Sequence, residues 1–166
     1  MIKGLSHFSF TVSNADASAA WYVEQLGFEL VRRQRQDNTY TRTFVGVPDA
    51  VLEVALLRLP SPPGTNGALL ELVQYVQPQG AGKQPSPGEV GFAHLSMEVD
   101  QIHEEFARLS ARGVSFRTPP VAITAGMNEG GYVCYLVDPD GNGLEFFEPA
   151  TRAASSDASS TVDSSD

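Results

Sequence analysis

The chain has 166 residues, 42% of them hydrophobic, and carries 20 acidic against 11 basic side chains for a net charge of −9. That length suits one domain or two small modules sharing a core, and the acidic balance excludes nucleic acid as a partner, because too few cations are available to displace counterions from phosphates. No apolar run approaches membrane-spanning length and no apolar leader opens the chain, so no membrane partner is expected and a cytoplasmic location is.

The chain opens on a period-2 segment, His7-Phe8-Ser9-Phe10-Thr11-Val12, in which Phe8, Phe10 and Val12 share one face and His7, Ser9 and Thr11 the other. A helix follows, with Ser13 and Asp16 as a capping box, Ala19, Tyr22, Val23 and Leu26 as its apolar stripe and Gly27 as its stop. Trp21 and Phe28 belong to the helix–sheet core. Strands are predicted at 29–35, 39–45 and 51–59, and a closing strand at 69–76. Pro and Gly dominate 77–90, which reads as a linker between a first module at 1–76 and a second at 91–150.

The second module repeats the first. His94-Leu95-Ser96-Met97-Glu98-Val99 alternates in the same way, and Asp100 is expected to cap a helix with the stripe Ile102, Phe106 and Leu109, stopped by Gly113. Strands are predicted at 114–117, 132–137 and 143–148, with 118–131 as a loop. Asp138 to Gly143 is a hairpin-turn signal. Residues 151–166, almost wholly Ser, Ala and Asp near their end, are expected to be a disordered tail. Cys134 is the single cysteine, so no intrachain disulfide can form, and its neighbours Val133 and Tyr135 suggest a buried thiol rather than a nucleophile.

Each module therefore holds one histidine early and one glutamate late: His7 with Glu71, and His94 with Glu145. Glu71 lies in Leu-Leu-Glu-Leu-Val and Glu145 in Gly-Leu-Glu-Phe-Phe. A carboxylate amid apolar strand residues is costly unless paired or bound to a metal. The cost recurs at equivalent positions, which points to a functional role. A two-fold arrangement of the modules would bring all four side chains around one divalent ion.

Charge is uneven: residues 1–76 carry six Lys/Arg against seven Asp/Glu, and the remainder five against thirteen. Arg32, Arg33, Arg35 and Arg42 fall in the less acidic part; a solvated strand face is their expected place, with contact to an anionic substrate tail as the alternative.

The segments Gly-Leu-Ser-His-Phe-Ser-Phe-Thr-Val at 4–12, Trp-Tyr-Val-Glu-Gln-Leu-Gly-Phe-Glu-Leu at 21–30, Leu-Glu-Leu at 70–72, Gly-Phe-Ala-His-Leu-Ser-Met-Glu-Val-Asp at 91–100 and Asp-Pro-Asp-Gly-Asn-Gly-Leu-Glu-Phe at 138–146 together resemble the vicinal oxygen chelate superfamily, the glyoxalase/bleomycin resistance/dioxygenase fold. The resemblance implies an α+β protein of two βαβββ modules, whose mixed sheets curl into a cup, and often a homodimer; some members build the cup from two chains. It places one divalent metal ion (Ni, Co, Mn, Fe or Zn) on His7, Glu71, His94 and Glu145.

Three activities compete. The first is a metal-dependent lyase or isomerase of the glyoxalase I or epimerase type, in which the ion stabilises an enediolate or enolate while Glu71 or Glu145 moves a proton next to a carbonyl of a small-molecule substrate. A glutamate at 71 fits the glyoxalase I pattern, whereas epimerases usually have glutamine there. Thr11 and Tyr75 stand where glyoxalase I carries its glutathione-binding Arg and Asn, so glutathione is not the expected co-substrate. The second is extradiol ring cleavage, using His7, His94 and Glu145 with Tyr135 as an active-site tyrosine; the family's extra acid–base histidine is missing, since Gly126 falls near its place and His103 lies on a predicted helix. The third is a metal-free protein that sequesters a cationic drug. Tyr40, Arg42, Tyr75, Met127, Asn128, Tyr132 and Phe147 are the candidates for the substrate wall, with Met127 and Asn128 in a glycine-bounded loop able to act as a lid.

Overall fold

The computed structural model describes residues 1–61, 67–80 and 86–151. Parts of the expected linker and of the Pro-rich segment at 60–67, and the expected tail beyond Thr151, lie outside the described residues. The elements run β1 (Phe8–Thr11), α1 (Ala15–Leu26), β2 (Glu29–Gln36), α2 (Thr39–Val45), β3 (Val51–Arg58), β4 (Leu69–Gln77), β5 (His94–Glu98), α3 (Ile102–Ala111), β6 (Val121–Ala122), β7 (Tyr132–Val137) and β8 (Gly143–Glu148). They form two four-stranded sheets of matching order, β1-β4-β3-β2 and β5-β8-β7-β6. In each, the opening strand pairs parallel with the closing one and the remaining pairs are antiparallel, so both sheets are mixed. The α+β architecture read from the sequence is the one observed.

The differences are local. The strand expected at 39–45 is helix α2: the Asn38 side chain accepts from the Thr41 amide at 2.9 Å, and Gly46 ends the turn at φ 70°. Capping at both ends thus overrides the β preference of its Thr, Tyr, Phe and Val residues. The first sheet consequently has one strand fewer than expected. Asn14, not Ser13, caps α1, its side chain accepting from Ala17 N at 2.9 Å, while the Ser13 amide donates to Asp140. Asp100 does not cap α3; Gln101 stands there in the left-handed region, and the Ile102 amide donates to the Glu148 carboxylate at 2.6 Å. The strand expected at 114–117 is reduced to a single bridge between Phe116 and Leu136, and the edge strand forms instead at β6, within the expected loop. Pro119 and Pro120 interrupt the run, having no amide to donate.

Alternation gives each sheet two faces. Phe10, Ala55, Leu57, Leu70 and Leu72 of the first sheet and Met97, Cys134, Leu136, Leu144 and Phe146 of the second join one buried cluster with Ala19, Tyr22, Ile102 and Leu109 of the helices. The modules thus share a core on their helix sides. Across that junction Tyr22, fully buried, donates its hydroxyl to Asp138 at 3.2 Å, and Ser18 Oγ reaches Asp140 at 3.3 Å. Burial, and the charge and hydrogen bond of Asp138, push the Tyr22 phenol far above its ordinary value; burial raises Asp138 as well, against the lowering effect of its hydrogen bonds from Asn142, Tyr22 and Asp140. Asp138 also shapes the β7–β8 turn by accepting from the Asp140 and Asn142 amides.

Candidate active site

The faces turned away from the shared core carry the two His–Glu pairs. In the first sheet this face presents His7 and Ser9 beside β4's Glu71, Val73 and Tyr75 and β3's Leu52, Val54 and Leu56. His7 Nε2 stands 3.7 Å from Glu71 Oε2, and Ser9 Oγ donates to that same oxygen at 3.4 Å. In the second sheet His94 Nε2 stands 3.6 Å from Glu145 Oε2, and Ser96 Oγ donates to Glu145 Oε1 at 2.6 Å. Register produces the repeat: Ser9 is the partner of Glu71 across β1–β4, and Ser96 of Glu145 across β5–β8. Ser9 and Ser96 were missed as site residues, although each stands two residues after its histidine on the same face.

The two pairs differ in their surroundings. Across the next ladder, Glu145 faces Tyr135, where Glu71 faces Leu56. Burial first, and then hydrogen bonding and charge from Glu145, raise the Tyr135 phenol above its ordinary value. Its ring meets His94 edge-on at 5.1 Å. Gly143 makes room for this histidine: a Cβ there would lie 2.8 Å from Phe92 Cζ and 3.2 Å from His94 Cβ. The Glu145 side chain is 17% exposed and that of Glu71 29%. Behind Tyr135, on the core face, burial and then the charge of Glu145 push the Cys134 thiol up to about 11, in keeping with an inert buried thiol.

Donors on a common ion lie about 2.0–2.2 Å from it, so two of them sit within roughly 3–3.6 Å of each other; the His94–Glu145 pair at 3.6 Å meets that span and the His7–Glu71 pair at 3.7 Å lies just beyond it. Imidazole with carboxylate suits the borderline divalent ions. Four-fold convergence within one chain is not observed. Among the described residues no group of three or more His, Cys, Asp or Glu is placed to hold a metal. The physical reason is the shared helix-side core, which leaves the pair-bearing faces outside it.

The other expected wall residues separate. Tyr75 and Phe147 lie on the pair-bearing faces, Tyr75 packed with Val45 and Val47 against Leu52 and Val54. Tyr40 is 74% exposed and stacks on Phe44 along α2. Arg42 donates to the Asp37 and Ala50 carbonyls, so it fixes the ends of α2. Met127 and Asn128 are exposed on the loop before β7. Tyr132 is a correction: register puts it on the helix face with Cys134 and Leu136, where it meets His103 edge-on at 4.9 Å. His103, on α3, meets Tyr132 on the helix face, the side of the second sheet opposite the His94–Glu145 pair. No helix among the described residues is long and apolar enough to cross a membrane.

Paired mixed sheets, each with a histidine at the start of its opening strand and a glutamate on its closing strand, define a duplicated α+β scaffold with one His–Glu pair per module. Over residues 4–146 the chain matches the family model described as the Glyoxalase/Bleomycin resistance protein/Dioxygenase superfamily, and it belongs to that family. It is 31% identical over 143 residues to a 2-epi-5-epi-valiolone epimerase from an Actinomyces species, covering 84% of this chain and 75% of that one. It is 26% identical over 151 residues to a probable lactoylglutathione lyase from Vibrio parahaemolyticus, covering 89% and 92%. Its fold is similar to the crystal structure of a glyoxalase family protein from Bacillus cereus, with TM-score 0.73, 18% identity and 90% and 96% of the two chains covered.

Proposed function

We propose that the protein is a metal-dependent lyase or isomerase of the glyoxalase I or epimerase type, moving a proton on the carbon beside a carbonyl of a small α-oxygenated substrate. In this reading His7 and Glu71 of one copy and His94 and Glu145 of a second copy, in a two-fold homodimer, hold one divalent ion (Ni, Co, Mn, Fe or Zn). The observation that carries it is the repeated Ser–Glu–His arrangement on the open face of both sheets. Similarity to proteins named an epimerase and a probable lactoylglutathione lyase supports the same reaction class. Bound there, the ion supplies a Lewis acid that draws charge onto substrate oxygens.

The chain's own contribution falls mainly to Glu145. Of the two carboxylates it is the more sheltered and the more firmly oriented, held by Ser96 at 2.6 Å with Tyr135 as its partner across the ladder. A positioned carboxylate is the group that takes a proton from carbon and returns it. Tyr135, a phenol that keeps its proton, is placed to donate to Glu145 and hold its orientation as charge moves. Phe147 on the same face and Leu56 and Val73 opposite Glu71 and along β4 supply apolar walls that keep water from the reacting carbon.

Protein purified without added metal should contain a stoichiometric divalent ion by elemental analysis. Incubated in deuterated water with a panel of α-hydroxy and α-oxo carbonyl compounds, it should place deuterium on the α-carbon. A metal-loaded protein that exchanges nothing across the panel would overturn the reading. Ring cleavage is a second reading, favoured by the edge-on contact of Tyr135 with His94 beside Glu145; it requires oxygen uptake with catechols under Fe(II), and no uptake removes it.

A further inference from the structure

We propose that Arg32 binds an anionic group of the substrate, so that the substrate class is an α-oxygenated carbonyl compound bearing a carboxylate or phosphate at its far end. This rests on the metal reading above for the near end of the molecule.

The four arginines of the first module are not equivalent once folded. Arg33 pairs with Asp16 of α1 at 2.6 Å, on the helix side of the sheet. Arg35 pairs with Glu53 at 2.7 Å and approaches Asp37. Arg42 is committed to two backbone carbonyls. Arg32 has one polar contact among the described residues, the side-chain oxygen of Gln34, and no carboxylate. Its charge is the uncommitted one of the set.

Its place in the ladder gives that charge a direction. Arg32 pairs with Leu56, which pairs with Glu71, which pairs with Ser9, so these four form one cross-strand row. Gln34 and Gln36 continue the same face of β2, opposite Val54 and Leu52. Alternation puts Arg32 and Arg33 on opposite faces, and the bulge between Leu30 and Arg32 sets the register that gives Arg32 the face of Glu71. The α2 segment covers the far rows, where Val45 and Val47 pack on Leu52 and Val54, while Leu56 stays half-exposed. The open row therefore has a carboxylate and imidazole at one edge, an apolar strip at Leu56, and a guanidinium with an amide beyond it. Strands lie about 4.8 Å apart, so Glu71 and Arg32 are separated by roughly 10 Å. In the second sheet the edge strand offers Val121 and Ala122 and no charge. Arg58, one row further along the first sheet, stands opposite Glu29. A planar guanidinium accepts carboxylate or phosphate oxygens two at a time.

The test uses metal-loaded protein and straight-chain hydroxamates, whose head chelates divalent ions. They end in methyl, carboxylate or phosphonate, with spacers from short to long enough to cross about 10 Å. Dissociation constants are measured by calorimetry at low ionic strength. At the best length the anionic end should improve binding about fivefold over methyl, as for a partly exposed ion pair, and the gain should shrink with added salt. In Arg32→Gln the ratio should fall to one, and in Arg32→Glu below one. The comparison of carboxylate with phosphonate tells which anion the site takes. No gain at any length, or a gain kept in Arg32→Gln, overturns the assignment while leaving the metal reading intact. Methyl-ended compounds that fail to bind while anionic ones still do would sink the metal reading and leave Arg32 standing; no binding by any of them would sink both.

Discussion

Two copies of one scaffold sit in this chain, and they have been furnished differently. Glu145 is gripped by Ser96 at 2.6 Å and faces a tyrosine, whereas Glu71 has Ser9 at 3.4 Å and faces a leucine. The outer edge of the first sheet carries Arg32, Gln34 and Gln36, while that of the second is apolar. The contrast suggests a division of labour in which both modules supply donors, the second orients the proton-moving carboxylate, and the first reads the rest of the substrate. Duplication fixes where a histidine and a glutamate meet; the residues one strand over give each pair its own surroundings.

The strongest way to break this picture is to remove one imidazole from each module. His7→Ala and His94→Ala should each lower metal affinity by more than the ~10–100-fold that loss of a ligand's supporting contact costs. Each variant should keep its fold by circular dichroism, because the core lies on the other strand face. Mixing the two after partial unfolding should restore about a quarter of the wild-type metal, since statistical pairing leaves one intact site in each mixed two-fold dimer. Equal loss with no recovery on mixing would place both pairs within one chain, and loss in only one variant would mean the pairs do not serve a common ion.

A smaller contrast separates the carboxylates. Glu145→Gln should reduce kcat by about 10²–10⁴, the range for a lost general base, measured at saturating metal. Glu71→Gln should cost less. Tyr135→Phe should fall between wild type and Glu145→Gln, with KM changed less than kcat, as expected of a residue that orients the base. A larger fall for Glu71→Gln would reverse the division of labour.

Much of this was legible in the alternation of polar and apolar residues, which fixes the face of each strand residue once its ends are known. That is why His7, Glu71, His94 and Glu145 could be placed on the side opposite the helices. Helix α2 was not legible from its Thr-Tyr-Thr-Arg-Thr-Phe-Val content, which favours strand, although Asn38 and Gly46 were there to be read as its two caps. Nor did local pattern reveal that the modules join through their helix sides. That choice is made by contacts such as Tyr22 with Asp138, 116 residues apart, and no short-range signal reports them. Which of Arg32 and Arg33 takes the open face likewise depends on a bulge, which shifts every later residue of β2 to the opposite face.

The smallest expected effect concerns the residue behind Tyr135. Cys134 and Ala55 occupy matching places, each next to the residue that faces its glutamate, and both are 1% exposed. The thiol is raised from 9.0 to about 11 by burial and then by the charge of Glu145. The folded chain therefore keeps this proton where the unfolded chain has lost it. Its contribution to stability is whole below about pH 9 and declines as the pH climbs toward about 11, by roughly 2–3 kcal/mol. Cys134→Ala puts the first module's residue in the second and removes that decline. In urea titrations at pH 8 and pH 10.5, the stability difference between wild type and Cys134→Ala should shift against the wild type by about 2 kcal/mol between the two values. A difference that does not move with pH would mean that the thiol is not shielded and that the core behind Glu145 is open to water.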